Sequence, residues 1–104
     1  MANQVRKRGA ALFRVFLAAS RQAQADAARA VDVSPVTVHH WLHERIVPRA
    51  ERRAMLEQWS GGALPATAWD EPAAAWEIAM ADAAKLREDP TELLSSDTPE
   101  RGAA

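Results

Sequence analysis

With 104 residues and 48% hydrophobic residues, many of them alanine, the chain has room for one domain and one small core. It has no cysteine, which excludes a disulfide framework and a thiolate metal site and favours a cytoplasmic protein. No run of about 18 apolar residues exists to span a bilayer, so no membrane partner is expected. The net charge of −1 hides a partition: residues 1–60 carry ten basic side chains against five acidic ones, a net +5, and residues 61–104 carry three against nine, a net −6. A surface that binds a polyanion needs such a basic half. Solvated helix faces account for any one arginine but poorly for the partition.

In chain order, residues 1–8 read as a flexible basic arm. Residues 9–19 resemble a signal peptide at first, but Arg14 interrupts the apolar stretch at its centre. Leu12, Phe13, Phe16 and Leu17 share one helical stripe, so the segment is expected to be a core helix. Ser20 to Gln22 make a turn, and residues 23–31 a second helix whose inner side holds Ala27, Ala28 and Val31. Small residues there let another helix approach closely. Asp32 stands where the chain must leave that helix, a place for a left-handed residue, and Val33 drops back into the core.

Ser34 and Pro35 then open a helix over 35–43, the hydroxyl as N-cap and the proline at the first position, where its missing N–H has no intrahelical partner anyway. Val38, Trp41 and Leu42 fall on one face of it, and Val36, His39, His40 and His43 on the other. Glu44 to Val47 connect to a fourth helix that starts near Pro48 and stops at Ser60-Gly61-Gly62. A short helical turn near Pro65 to Trp69 closes the domain. Asp70 caps a further helix over about 71–88, with Trp76, Ala79, Met80 and Ala83 as its apolar side. It either folds back on the domain or pairs with a partner chain, and pairing is preferred. Residues 89–104, beyond a last apolar pair Leu93-Leu94, are expected to be an acidic, largely disordered tail.

The stretch from Gln24 to Trp41 resembles the helix-turn-helix of the phage Cro and repressor class, closest to short prophage regulators of the YdaS type. The matching residues are Gln24, Ala28, Val33, Val38 and Trp41, together with the run Ser34 to Val38. Beyond the motif, Val47-Pro48, Glu51-Arg52, Leu56 and Ser60-Gly61-Gly62 resemble the following helix and glycine turn of those regulators. Asp32 stands where the family usually has glycine. The likeness covers about residues 10–70 and implies an all-α fold: a compact four- to five-helix lambda-repressor-like domain over 9–70, with the added C-terminal helix and tail.

By that resemblance the chain is expected to be a sequence-specific regulator of transcription that binds a double-stranded DNA operator. A dimeric repressor of phage, prophage or similar origin is the expected form. Ser34, Pro35, Val36, Thr37, His39, His40 and His43 would meet base edges in the major groove. Gln24, Arg45, Arg49, Arg52 and Arg53 would hold phosphates, the glutamine by implication from related repressors. His39 and His43, at i and i+4, have the spacing of a metal pair, but two imidazoles without a nearby carboxylate or cysteine make a poor zinc site, and no metal or cofactor is expected. No acid–base pair, phosphate loop or nucleophile motif points to an enzyme. The alternative is an antitoxin-like or adaptor protein whose acidic C-terminal half holds a protein partner.

Overall fold

The computed structural model describes residues 6–85, so the first five residues of the arm, residues 86–88 and the whole tail lie outside the described residues. Within them the chain is all-α. The helices are α1 (Arg8–Ser20), α2 (Gln24–Ala30), α3 (Pro35–Leu42) and α4 (Ala50–Trp59), followed by a 3-10 turn (Ala66–Asp70) and α5 (75–85).

The core is small and built by α1 to α4 and the 3-10 turn with the segments between them. Phe13 and Leu17 of α1 meet Ala27 and Ala28 of α2, Val31, Val38, Trp41 and Leu42 around α3, Leu56 of α4, and then Leu64 and Trp69. Two edge-to-face aromatic pairs tie α1 to the second half of the domain, Phe13 with Trp69 at 6.0 Å and Phe16 with Trp59 at 5.2 Å. Trp69 also lies flat on Gly9: a Cβ there would stand 2.3 Å from the indole Cδ2, so only glycine fits at the start of α1.

The helices end in one recurrent way. Arg21, Asp32, Glu44 and Gly61 all have positive φ, at 57°, 58°, 59° and 67°. The N–H that follows each reaches five residues back, from Gln22 to Leu17, Val33 to Ala28, Arg45 to His40 and Gly62 to Glu57. These are left-handed caps that satisfy the last free carbonyls. Asp32 is left-handed as expected; Arg21 and Glu44 take the same backbone with no glycine-like signal.

Arg14, which interrupts the apolar run of α1, does so from inside. It is only 4% exposed, and its Nη2 donates to the Leu42 carbonyl at 3.3 Å, at the negative end of α3.

Two expectations are corrected here. Residues 6–8 are no free arm. Arg8 N–H donates to the Glu71 carbonyl and Ala73 N–H to the Arg6 carbonyl, both at 2.7 Å, while Lys7 N–H donates to Glu44 Oε1. The last helix, for its part, folds back against α1, and by the face opposite to the apolar one. Glu77, Ala81 and Ala84 are its buried residues, whereas Trp76, Ala79, Met80 and Ala83 are exposed. The reason is a specific pair: Arg8 Nε donates to Glu77 Oε2 at 2.8 Å, and Ala74 N–H donates to Glu77 Oε1 at 2.9 Å. That backbone bond, and after it Arg8, holds the Glu77 carboxyl below the usual range. The alanines beside it allow α5 to come close to α1, which a row of bulky side chains would not.

Asp32→Gly tests the left-handed cap: glycine adopts the observed φ without a Cβ penalty, so the variant should gain up to about 1 kcal/mol in stability. A lower melting temperature than that of the parent would show that the aspartate side chain stabilises the turn.

Candidate nucleic-acid interface

The site begins with how α3 is held. Ala27 and Ala28 are essentially unexposed and bring α2 close to it. The turn between them is short because Val31 N–H returns to Ala27, Val33 N–H returns to Ala28, and Ser34 is already the N-cap. Ser34 Oγ accepts the Thr37 N–H at 3.2 Å and shares a hydrogen bond with Thr37 Oγ1 at 3.1 Å. Capping therefore takes up one acceptor site of the Ser34 hydroxyl and fixes the start of the helix.

From that start, Val38 at 0%, Trp41 at 3% and Leu42 at 4% exposure enter the core. Ser34, Pro35 and Val36 are exposed, Val36 at 61%, and Thr37, His39 and His40 are half-buried. The split expected from the sequence is thus present, with Val36 as its outermost apolar residue.

His43 differs from the other two imidazoles. The helix stops at Leu42, and His43 is its C-cap. Its ring lies 4.2 Å from that of His39, tilted by 39°. Loss of hydration lowers its pKa most, followed by the charges of His39, Arg14, Lys85 and Arg45, and the value falls to about 4. At neutral pH this ring is uncharged, set on the shoulder where α3 meets α1 and α5. Among the described residues no group of three or more histidines or carboxylates is placed to hold a metal ion.

The expected phosphate set divides. Arg45 and Arg49 are exposed, Arg49 as the N-cap of α4, and no side-chain hydrogen bond or salt bridge of either is present among the described residues. Arg52 is half-buried, lying against Met55 Sδ and 3.3 Å from Glu51 Oε2. Arg53 is committed elsewhere: its Nε donates to the Pro48 carbonyl and its Nη1 to Asp70 Oδ2, both at 2.8 Å. It pins α4 to the 3-10 turn and holds the Asp70 carboxyl below its ordinary value. Its place in the phosphate set is accordingly withdrawn. Gln24 is the first residue of α2 and half-buried.

Ile46 and Val47, 47% and 44% exposed in the connection after α3, form an exposed apolar pair that the sequence reading did not place in the site, although two apolar residues in a connecting segment with no helix to bury them are a visible signal. No helix among the described residues is long and apolar enough to cross a membrane. Comparison with known protein families, curated proteins and solved structures finds no match to this chain.

The depressed pKa of His43 sets a pH dependence. The unfolded ring protonates near pH 6.5 and the folded one only near pH 4, so between those values the unfolded state binds more protons. Stability is full above about pH 6.5 and falls as the pH drops toward 4. His43→Gln should flatten melting temperature against pH in that window, and an unchanged slope would mean that the ring is not the group responsible.

Proposed function

We propose that this protein is a sequence-specific double-stranded DNA-binding regulator that presents α3 to the major groove and acts as a dimer, most simply as a repressor that occupies its operator. The observation that carries the reading is the division of α3. Its apolar stripe is spent on the core, and what remains outward is a capped N-terminus with Ser34, Pro35, Val36 and Thr37, then the edges of His39 and His40.

The chemistry of that surface suits base edges. An exposed valine has nothing to gain from water, and against a thymine methyl it buries apolar area on both sides. His40 offers a ring nitrogen to a guanine or phosphate acceptor. Arg45 and Arg49, whose guanidinium groups are spent on no other group of the described chain, supply affinity that depends on salt and little on sequence. A single motif makes few contacts, and two copies one helical turn apart on the duplex are the usual remedy.

The alternative, an adaptor that holds a basic protein through the acidic half, has less support. Of the acids in that half, Asp70, Glu71, Glu77 and Asp82 already face Arg53, Arg8, Arg8 and Arg6 in ion pairs.

In vitro selection from random duplexes should enrich a defined site, and Val36→Ala and His40→Ala should each reduce preference for it by about 1 to 3 kcal/mol while changing non-specific affinity little. Selection without enrichment, or intact preference in both variants, would refute base reading by α3. Arg49→Ala should weaken binding to all sequences alike and reduce the salt slope by about 1, whereas Arg53→Ala should lower the melting temperature and leave the slope alone. The reverse pattern would exchange the roles assigned to the two arginines.

A further inference from the structure

We propose that the recess between the start of α1, the end of α3 and the segment that follows α3 binds a small aromatic carboxylate. Its walls include Trp41, Trp69, Ile46, Val47, Lys7 and Glu44. The volume of about 250 Å³ lies just below the roughly 300 Å³ at which drug-sized sites begin, so the occupant has one or two rings and no more. Two indoles and two half-exposed aliphatic side chains suit a flat apolar ring.

Three polar groups decide what that ring must carry. Trp69 is almost wholly buried, and among the described residues its indole N–H is the one buried side-chain polar group without a hydrogen-bond partner. Gly9 lies against Cγ, Cδ2 and Cε3 of the indole, which leaves the N–H on the edge away from that glycine. A buried donor left unpaired is costly, and an acceptor brought to it relieves that cost. Lys7 is a second donor, since its side chain makes no hydrogen bond or salt bridge among the described residues. Asp70 feels the Lys7 charge but is held first by Arg53. Glu44, the acid of the recess, is already engaged: its Oε1 accepts the Lys7 N–H at 3.1 Å, and its Oε2 lies 3.9 Å from Arg6 Nε. Lys7 and Arg6 against Glu44 leave one positive charge over. A carboxylate whose oxygens accept from Trp69 and Lys7 neutralises it, as neither a neutral ring nor an ammonium would.

The indole nitrogen is closed to water, so the occupant displaces a side chain in reaching it. Ile46 and Val47 stand on a connecting segment outside any helix and are the walls with room to yield. Arg45 lies between Glu44 and Ile46 in that segment, and Arg49 follows it. Occupation of the recess therefore shifts the cations assigned to phosphates, and a bound duplex changes the affinity for the carboxylate by the same factor. That link rests on the DNA-binding reading; the site itself does not.

Titration of the isotope-labelled full chain with benzoate and with indoleacetate tests the site on the indole N–H resonances, that of Trp69 being assigned with Trp69→Phe. The expected result is a saturable downfield movement of the Trp69 signal at about millimolar ligand, with benzamide and benzylamine, similar in shape, binding about tenfold or more weakly. Lys7→Met keeps the apolar stem and should weaken benzoate about tenfold, with a melting temperature near that of the parent. Val47→Trp, a change at an exposed position that fills the recess, should abolish the movement. A Trp69 signal that moves with neither carboxylate, equal affinity for benzamide and benzoate, or unchanged affinity in Lys7→Met would overturn the proposal. Binding of a short duplex, measured alongside, separates the two readings: a chain that takes up benzoate but no duplex loses only the DNA reading, and one that binds the duplex but not benzoate loses only this site.

Discussion

The rotation of one eight-residue helix about its own axis decides what this protein can present to a partner. Val38, Trp41 and Leu42 fix that rotation, because each is buried almost completely and each contributes about 1.5 to 3 kcal/mol by leaving water. A turn of 100° would put His39 and His43, or Thr37 and His40, into two of the three buried places. Arg14 adds a second constraint from below, a buried cation on the last carbonyl of α3, so the end of the helix is as firmly placed as its start at Ser34. With both ends and one face fixed, Val36 has no place except the outside.

Charge does different work in the two halves of the molecule from what a count of residues implies. The excess of acids after residue 60 looks like a surface for an external basic partner. The four acids of that half among the described residues are paired within the fold: Glu77 and Glu71 hold Arg8 and Asp82 holds Arg6, which staples the start of α1 to the later part of the chain, and Asp70 holds Arg53. Among the described residues Arg21, Arg45 and Arg49 have no such partner, and the last two sit in the segment that follows α3. Pairing within the fold has thus left exposed cations in the segment that follows α3 in the chain.

The helical elements and their order were legible because their signals are local. Alanine and leucine favour helix, Ser34-Pro35 is an N-terminal signature, and Ser60-Gly61-Gly62 is a stop. The inward residues of α3 followed from spacing alone. The left-handed caps at Arg21 and Glu44 did not, since neither residue type prefers that backbone; there the core on either side of the turn forces the conformation, and tertiary packing overrides propensity. The orientation of α5 was read the wrong way round for a related reason. A hydrophobic stripe marks the buried face only when no specific ion pair competes, and the half-buried pair of Arg8 with Glu77 lies 69 residues apart in sequence, out of reach of any local pattern. The partners of Arg53 were out of reach likewise: that one arginine of a basic run lies against Pro48 and Asp70 is a fact of the fold.

We propose that α3 meets DNA by the face opposite Trp41. Backbone amide chemical shifts of the isotope-labelled chain, followed as duplex DNA is added, test it most directly. The largest changes are expected on Val36, Thr37, His39 and His40, with Arg45 and Arg49 next to them, while the exposed Trp76 and Met80 of α5 are little affected. Changes confined to α5, or none at all under conditions of low salt, would contradict it.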